Sequence, residues 1–579
     1  MDTTKTHDKF FDSYFLLSWC LTIFAIAPLF YPGYFQTHSG FIPLWSIHNL
    51  KDNLTEFTWL PLHIEFQMWR SDGLLPYYLA SLLPMSPLNA MKTILAIGIL
   101  AGNSGMYLWT KSWFGQKGAV VSAMVYTYSP FILATIYVRG AYSELFFWGL
   151  LPWAIFYTIP LVAPFPSPSG RGARWEGKVA HSGIGDGTAK ILIAMLTWLS
   201  LGLCNLGLSV VALMILLLIQ LSFHRPQALR LISSAVVGLS GAILITTFVV
   251  PEFLPSLTNH SDHLLYPAQF FSAFWGHGIS RVGWNDGMSF SYGLPAIGLT
   301  IFAMYLWGGR HVKASFDPPG LPLIFLSIAV IITMLLMPLS SWLWQIFPFD
   351  YILTYPWQLL GFSTLALAVM SGMCLRLDER LSQLPMFGSI LIIIVLAMYP
   401  NLEPKFIQAP LPEKPTAIYH NAEAPKTPAL LLLLDYEFLV DNPTLNEIEL
   451  APYDEPQELF IPYEPIVSGS AKSFSHDIIY LRVHWQPVEL LEKSYTVFAH
   501  LVSEDGQLIT QVDTVPQAYK YPTTDWIPGE IVEDMYRFRL PKSSAKPHQV
   551  WLGLYDSETL IRLAVFGDNE GRAKLGLSE

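Results

Sequence analysis

The sequence predicts an α-helical polytopic membrane protein with about 11 transmembrane helices, followed by an all-β sandwich domain. Of its 579 residues, 52% are hydrophobic and 13% are charged, and the mean hydropathy is +0.40. A soluble protein has about twice that charged fraction. Long apolar stretches fill residues 14 to 399, whereas 400 to 579 has the composition of an acidic soluble domain. The two regions are therefore expected to face different solvents.

The first apolar stretch, residues 13 to 31, contains Ala25-Ile26-Ala27, a small-residue pattern of the kind that signal peptidases cleave. Pro28 follows directly and is expected to block cleavage. We therefore expect a retained anchor here and not a removed signal peptide.

Spanning helices need about 20 mostly apolar residues each. The stretches that qualify are 14–31, 90–109, 118–137, 143–163, 190–223, 231–250, 291–308, 319–339, 356–375 and 386–399. The stretch 190–223 is too long for one span, and Asn205-Leu206-Gly207 is a turn signal near its middle. Counted as a helical pair, it brings the total to about 11.

The basic residues of the short loops predict the orientation, because cytoplasmic loops carry an excess of Lys and Arg. They are Lys111, Lys117, Arg171, Arg174, Lys178, Arg225, Arg230, Arg310, Lys313, Arg376 and Arg380, and they fall on alternate turns. With the N-terminus inside the cytoplasm, the long loops 32–89 and 251–290 and everything after Pro400 lie outside. We expect the transmembrane domain at 1–399, a linker at 400–428 and the β-sandwich domain at 429–579, in a plasma (inner) membrane.

The C-terminal region alternates apolar and polar residues in short runs, for example at 478–485 and 495–502. Turn signals such as Glu504-Asp505-Gly506 and Ile527-Pro528-Gly529 separate the runs. This pattern is typical of a sandwich of about eight strands.

Charge and cysteine content exclude two classes of function. The net charge is −11, and the Lys and Arg residues form no dense cluster, so a nucleic-acid interface is not expected. All three cysteines lie within or at the edges of apolar segments, which argues against a disulfide framework and a thiolate metal site.

Ionisable residues at membrane depth are costly, so each is a functional candidate. The clearest are Arg139 and Glu144, at the outer turn between two spans. Two interpretations stay open: an ion pair that pins the hairpin, or side chains that face a ligand. The outer loops add His38, Glu65, Asp72 and, in the second loop, Asp286. Such residues could bind a divalent cation (Mg or Mn), although no fixed metal-ligand spacing is present.

The long first outer loop, the Arg/Glu turn and the outer β-domain together resemble the GT-C class of polyprenyl-phosphate-dependent glycosyltransferases. A closer likeness, over most of the membrane region, is to bacterial membrane proteins labelled "6-pyruvoyl-tetrahydropterin synthase-related", although no residue suggests pterin chemistry. It is carried by Pro32-Gly33-Tyr34-Phe35, Thr37-His38, Pro76-Tyr77-Tyr78-Leu79, Ser129-Pro130-Phe131, Tyr137-Val138-Arg139-Gly140-Ala141, Glu144, Leu151-Pro152-Trp153, Asp286-Gly287-Met288-Ser289-Phe290 and Tyr355-Pro356-Trp357.

The C-terminal region resembles a domain found on dolichyl-phosphate-mannose-type glycosyltransferases. The matching residues are Tyr495-Thr496-Val497-Phe498, His500, Asp505-Gly506, Asp513, Trp526, Pro528-Gly529-Glu530 and Gly553-Leu554-Tyr555-Asp556. Most of them are turn and core residues, so they support the fold of this domain.

The chain departs from this resemblance at three positions. Ser39 replaces a loop aspartate that would serve as base or metal ligand, Gln358 replaces an arginine suited to a lipid-linked phosphate, and Cys204 replaces a common histidine. The resemblance implies Glu144, Asp72 and Glu65 as candidate catalytic residues. It implies Arg139, His38, Trp357 and Asp286 as candidate substrate-binding residues.

Three functions remain open on the sequence. The first is a transferase that moves a sugar from a polyprenyl-phosphate donor to a lipid or cell-surface glycan on the outer face. The second is a non-catalytic protein of the same fold that binds a lipid-linked glycan or a protein partner, which Ser39 and Gln358 favour. The third, a channel or secondary transporter, is disfavoured because no paired inverted halves or charged midplane helices are visible. Membrane lipids are expected partners in every case.

Overall fold

The computed structural model describes residues 12–55, 73, 75–158, 184–223, 228–249, 262–284, 286–309, 320–346, 353–407, 416–419, 429–439, 478–541, 546–565, 568 and 570–577. These residues form two compact units. The helical unit contains 12–31, 50–55 and 73–404, and the β unit contains 32–49 and 405–577. The predicted catalytic residues Asp72 and Glu65 lie outside the described residues.

The helices are α1 (Ser13–Ile26), α2 (Ile42–Thr55), α3 (Leu75–Ser81), α4 (Pro87–Thr127), α5 (Pro130–Tyr137), α6 (Tyr142–Thr158), α7 (Ile184–Cys204), α8 (Leu206–Phe223), α9 (Ala228–Val249), α10 (Pro267–Phe271), α11 (Leu294–Gly308), α12 (Leu321–Leu336), α13 (Ser341–Ile346), α14 (Leu360–Leu377) and α15 (Leu384–Met398). The turn predicted at Asn205 is present, and its side-chain oxygen accepts from the Leu208 N–H at 2.9 Å to start α8. The predicted first outer loop contains α2 and α3.

Within the described residues, three helices are long and apolar enough to cross a membrane: Ser13–Phe30, Pro356–Leu377 and Leu384–Leu402. Counting each of two bent pairs as one span, Pro87–Thr127 with Pro130–Tyr137 and Leu321–Leu336 with Pro338–Ile346, gives five. The other apolar stretches, Ala189–Cys204, Leu206–Ile219, Ile232–Thr246 and Leu294–Gly308, have 10–17 residues; the last of them, α11, has 15. Such a helix covers about 22 Å, less than the hydrocarbon core of about 30 Å. The predicted count of about 11 is therefore not confirmed.

Small residues let the central helices of this unit approach closely. A Cβ built on Gly149 of α6 would lie 2.6 Å from the carbonyl oxygen of Gly98 in α4. Close backbone contact of this kind is how helices pack without a hydrophobic driving force. The span that contains α14 is buried along its whole length, whereas α1 and α15 are mostly exposed. α14 therefore forms the centre of the helical unit.

The strands are β1 (Tyr34–Phe35), β2 (Phe406–Ile407), β3 (Thr416–Tyr419), β4 (Leu431–Leu439), β5 (Ile478–Pro487), β6 (Tyr495–Ser503), β7 (Leu508–Thr514), β8 (Val532–Arg539), β9 (Pro547–Asp556), β10 (Ala564–Val565) and β11 (Ala573–Gly576). The first large sheet has the order β10-β3-β4-β5-β8 and the second β11-β9-β6-β7. Pairing within both is antiparallel.

The two sheets share one hydrophobic core. Trp485 and Tyr536 of the first sheet and Val497 and Leu552 of the second are fully buried in it. In β5 the burial alternates between neighbouring residues, as in a strand with one face on a core. The predicted β-rich C-terminal region is therefore present.

The β unit differs in extent from the predicted domain at 429–579. β2 and β3 lie within the range predicted as linker, 400–428, and residues 32–49 come from the predicted first outer loop. They join the unit because β1 pairs with β2 and because Gln486 Oε1 accepts from the Phe41 N–H at 2.9 Å.

Candidate functional site

The turn between α5 and α6 fixes the predicted Arg139 and Glu144. The Arg139 N–H donates to the Ala134 carbonyl at 2.8 Å, which closes α5. Gly140 then adopts a φ of +68°, a conformation that favours glycine. Glu144 stands in the first turn of α6, where the helix dipole favours a carboxylate. The tight turn therefore brings the side chains of Arg139 and Glu144, five positions apart, onto the same side of the chain.

Arg139 and Glu144 form a buried ion pair. Arg139 Nη1 lies 2.7 Å from Glu144 Oε2 and also donates to Thr135 Oγ1 at 3.3 Å. The side chains are 10% and 4% exposed. Removing one partner of such a pair leaves an uncompensated charge in a poorly solvated place. The pair therefore holds the guanidinium in a fixed orientation.

Gln358 closes the other side of Glu144. Its Nε2 donates to Glu144 Oε1, and its Oε1 accepts from the Tyr355 N–H at 3.1 Å. Gln358 is buried in the 3₁₀ turn Pro356–Leu359 that leads into α14. Each Glu144 oxygen already accepts a hydrogen bond, so the carboxylate is placed to orient Arg139. Each carboxylate oxygen keeps a second lone pair, so a role of Glu144 as general base stays a prediction.

A row of rings continues from Arg139. The guanidinium carbon lies 4.3 Å from the centroid of the Trp357 ring, within the range of a cation–π contact. The Tyr355 ring stacks on Trp357 with centroids 4.8 Å apart, and His263 meets Tyr355 edge-on at 5.4 Å. Trp357 is buried, and its Nε1 has no hydrogen-bond partner among the described residues.

We call Arg139, Glu144, Tyr355, Trp357 and Gln358 the Arg–Trp site. Sequence reasoning identified Arg139, Glu144 and Trp357, and the structure brings these three together. It missed Tyr355 as a site residue and interpreted Gln358 only as a lost arginine. The signal for both was present, because they flank Trp357 within Tyr355-Pro356-Trp357-Gln358.

Asp286 organises its own loop. Its carboxylate accepts from the Arg281 N–H at 2.6 Å and from the side chain of Gln269. Burial raises the pKa of the Asp286 carboxyl, against the opposing effect of these hydrogen bonds. An isolated bridge between His277 and Met288 closes the same loop. These contacts give Asp286 a role in loop structure; a role in binding stays a prediction.

His38 belongs to the β unit and not to the helical unit that contains the Arg–Trp site. It is half-buried in the turn 37–40. Gly40 of that turn has a φ of +52°, and Gly529, with a φ of +78°, packs so closely that its Cβ would lie 2.0 Å from the Thr37 carbonyl oxygen. The turn that carries His38 is therefore held by the β unit.

Gly73 connects the first outer loop to the Arg–Trp site. The Gly73 carbonyl accepts from Ser143 Oγ at 2.7 Å, and Ser143 is the residue before Glu144. A Cβ on Gly73 would lie 1.9 Å from the carbonyl oxygen of Cys204, so the chain passes tightly between α6 and the end of α7. Gly73 directly follows Asp72 in the sequence.

In the part of the chain that the structure describes, no three His, Cys, Asp or Glu side chains converge in a way that could hold a metal ion. The expected Mg or Mn ion thus has no ligand set among those residues. Asp72 and Glu65 lie outside them.

No protein-family model matches the sequence, and no curated protein matches it. Solved structures that match include ArnT from Cupriavidus metallidurans bound to undecaprenyl phosphate, with 12% identity and a TM-score of 0.38 over 66% of this chain and 62% of that one. An oligosaccharyltransferase from Archaeoglobus fulgidus tethered with an acceptor peptide matches with 15% identity and a TM-score of 0.36, over 67% of this chain and 54% of that one.

Both neighbours are GT-C-fold glycosyltransferases. This chain covers less than two thirds of the length of either. Similarity at this level is a partial likeness of backbone arrangement, and donors, acceptors and site residues do not follow from it.

Proposed function

We propose that this chain is a GT-C-like membrane glycosyltransferase. It transfers a sugar from a polyprenyl-phosphate donor to a lipid or cell-surface glycan on the outer face of the plasma (inner) membrane. The observation that carries this proposal is the buried guanidinium of Arg139, fixed by Glu144 and stacked on Trp357. A held, planar guanidinium suits the recognition of phosphate oxygens.

The Arg–Trp site supplies two kinds of contact for such a donor. Arg139 faces the phosphate, and Trp357 offers an indole N–H that has no partner among the described residues. Aromatic side chains also present an apolar face to sugars and lipid chains. Gln358 and Glu144 keep Arg139 oriented, which lowers the entropic cost of binding.

Transfer also needs a base for the acceptor hydroxyl. We assign this role to Asp72 or Glu65 and leave Glu144 as the residue that positions Arg139, because Glu144 already holds the guanidinium in place. The bond between Gly73 and Ser143 favours Asp72 over Glu65. A divalent cation, Mg or Mn, would be held by the same first-loop carboxylates.

The second candidate is a non-catalytic membrane protein that binds a lipid-linked glycan or a protein partner. Gln358 favours it, because a neutral amide stands beside Glu144 and the pair Arg139–Glu144 has no net charge. Ser39, in the turn held by the β unit, favours it as well, because serine cannot replace the carboxylate of the related proteins.

Reconstituted protein given radiolabelled polyprenyl-phosphate sugars and membrane lipids separates the two candidates. The transferase proposal expects labelled acceptor from the wild type, none from Arg139→Ala, none from one of the two base variants Asp72→Asn and Glu65→Gln, and reduced but measurable transfer from Glu144→Gln. Saturable donor binding with no transfer from any donor would support the non-catalytic protein and overturn the transferase.

A further inference from the structure

The C-terminal end of α12 is closed by hydrogen bonds from other parts of the protein. The Leu335 carbonyl accepts from Trp344 Nε1 at 2.9 Å and from Ser340 Oγ at 2.6 Å. The Leu336 carbonyl accepts from the Leu265 N–H at 2.7 Å. These partners satisfy carbonyls that the helix leaves open at its C-terminus.

Beyond this end the chain turns away from the axis of α12. The segment that contains α13 is bent from it by 78°. Transmembrane helices tilt on average about 20° from the membrane normal, so a helix bent this far from one runs closer to the membrane plane than to its normal. α12 and α13, including their connection, contain no Asp, Glu, Lys or Arg.

The exposed surface of α12 is apolar and continues into α13. Val330, Ile331 and Met334 of α12 are 47%, 58% and 47% exposed, and Trp342 and Ile346 of α13 are 56% and 67% exposed. An exposed apolar surface that continues from one helix into the next indicates contact with lipid. Tryptophan is enriched where membrane and water meet.

A second element stands at the same end of α12. The loop 262–292 is joined to it by the Leu265–Leu336 bond and by the Tyr292 hydroxyl, 2.5 Å from Thr333 Oγ1. Large apolar side chains of this loop are more than half exposed: Phe271, Phe274, Val282 and Trp284. We call these four residues, three aromatic and one valine, the aromatic face. Trp284 is 71% exposed and stacks on Tyr266 with centroids 4.7 Å apart.

The described backbone beside the aromatic face is closely packed. Gly278 and Gly287 lie in close contact, because a Cβ on Gly287 would lie 2.6 Å from the Gly278 Cα. The Gly278 N–H donates to the Gly287 carbonyl at 2.9 Å. Four large apolar side chains that stay exposed in water cost about 25 cal/mol per Å² of apolar surface.

We propose that α13 and the aromatic face lie in the membrane–water interface at the end of α12, with the lipid headgroup region as their partner. Interfacial elements bury an apolar side and keep polar groups wet, and Gln345 of α13 and Asp262 and Arg281 of the loop are exposed polar residues. His263 of the same loop contacts Tyr355, so the Arg–Trp site lies near headgroup depth. The depth of the Arg–Trp site concerns substrate access and rests on the proposed function. The interfacial location of α13 and the aromatic face does not.

Site-directed fluorescence in proteoliposomes tests the proposal. In a Cys20→Ser background, where Cys204 and Cys374 are buried, single cysteines replace Trp284 and Trp342 and carry an environment-sensitive dye. Ile331→Cys on α12 is the hydrocarbon control, and Leu508→Cys, 54% exposed on β7, is the water control. Val282→Cys repeats the test without removing a stacked ring. Lipids spin-labelled at the headgroup or in mid-chain act as quenchers.

We expect the dyes at 284, 282 and 342 to lose more fluorescence with headgroup-labelled lipid than with mid-chain-labelled lipid. The dye at 331 should show the reverse order, and the dye at 508 should lose little with either. Dyes at 284, 282 and 342 that behave like the dye at 508 would place both elements in water and overturn the proposal. If the dyes at 284, 282 and 342 are quenched most by the mid-chain-labelled lipid, the proposal is also overturned. An unquenched dye at 331 would contradict the membrane position of α12 itself. Transfer activity does not enter the readout.

Discussion

The side-chain amide of Gln358 donates a hydrogen bond to Oε1 of Glu144, 214 positions away in the sequence. Through this bond the turn before α14 supports the ion pair at the start of α6. Gln358 thereby joins the Tyr355 backbone, the Glu144 carboxylate and, through it, Arg139. The Arg–Trp site is one connected network.

Replacing Gln358 by leucine should destabilise the helical unit. Glu144 Oε1 would lose a buried donor, and hydrogen bonds to charged groups contribute about 1.5–3 kcal/mol. Thermal unfolding in detergent measures the change. Gln345→Leu, an exposed glutamine on α13, is the matched control and should change the unfolding temperature little. Equal effects of the two substitutions would show that the bond to Glu144 has no energetic role.

Glu144→Gln should be more harmful than the double variant Arg139→Gln/Glu144→Gln. The single change leaves a buried guanidinium without its counter-charge, at a cost of about 3–5 kcal/mol. The double change removes both charges, so stability should partly recover. A double-mutant cycle measured by denaturant unfolding gives the coupling. Additive effects would contradict the buried pair.

The β unit should lose stability as the pH rises from about 6.5 to about 9. Burial alone would lower the pKa of His484, but hydrogen bonds to Asp435 and Glu533 raise it to about 9. A folded-state pKa above the unfolded value means that the stabilisation is complete below pH 6.5 and disappears as the folded form deprotonates. Hydrogen exchange of β5 against pH measures this, and His484→Gln should flatten the profile. An unchanged slope in that variant would exclude His484 as the titrating group.

Gly529→Ala should release the turn 37–40 from the β unit. Gly529 has a φ of +78°, and an added Cβ would lie 2.0 Å from the Thr37 carbonyl oxygen. A non-glycine residue at such a φ costs about 1–3 kcal/mol before the clash is counted. Faster hydrogen exchange of β1 and β2 is the expected result. Gly576→Ala is the control, since a Cβ there meets nothing within 4 Å. Equal hydrogen-exchange rates of β1 in the two variants would show that Gly529 does not hold the turn.

The sequence could predict those contacts of the site that depend on short-range geometry, and not those that depend on long-range packing. Arg139 and Glu144 are five positions apart around a glycine turn, so their pairing depends only on short-range geometry. Trp357 was identified by resemblance, but its stacking on Arg139 depends on the packing of α14 against α6. The same long-range packing gives Gln358 its role, which the sequence alone presented as the loss of a phosphate ligand.

The fold shows the same division. The periodic strands of the β unit and the turn at Asn205 follow local patterns, and both are present. The inclusion of residues 32–49 in the β unit rests on the pairing of β1 with β2 and on contacts with Gln486 and Gly529, all far away in the sequence. The periodicity of a sequence does not predict long-range contacts of this kind.

Equilibrium binding of a labelled polyprenyl-phosphate-linked sugar to reconstituted protein measures whether the Arg–Trp site recognises the proposed donor. We predict saturable binding by the wild type that weakens about tenfold or more in Arg139→Lys, because lysine keeps the charge but loses the planar fork and the stacking on Trp357. Arg281→Lys, on an exposed loop arginine, should bind as the wild type does. Equal affinities of the wild type and Arg139→Lys, or no saturable binding at all, would overturn the proposed role of the Arg–Trp site in donor binding.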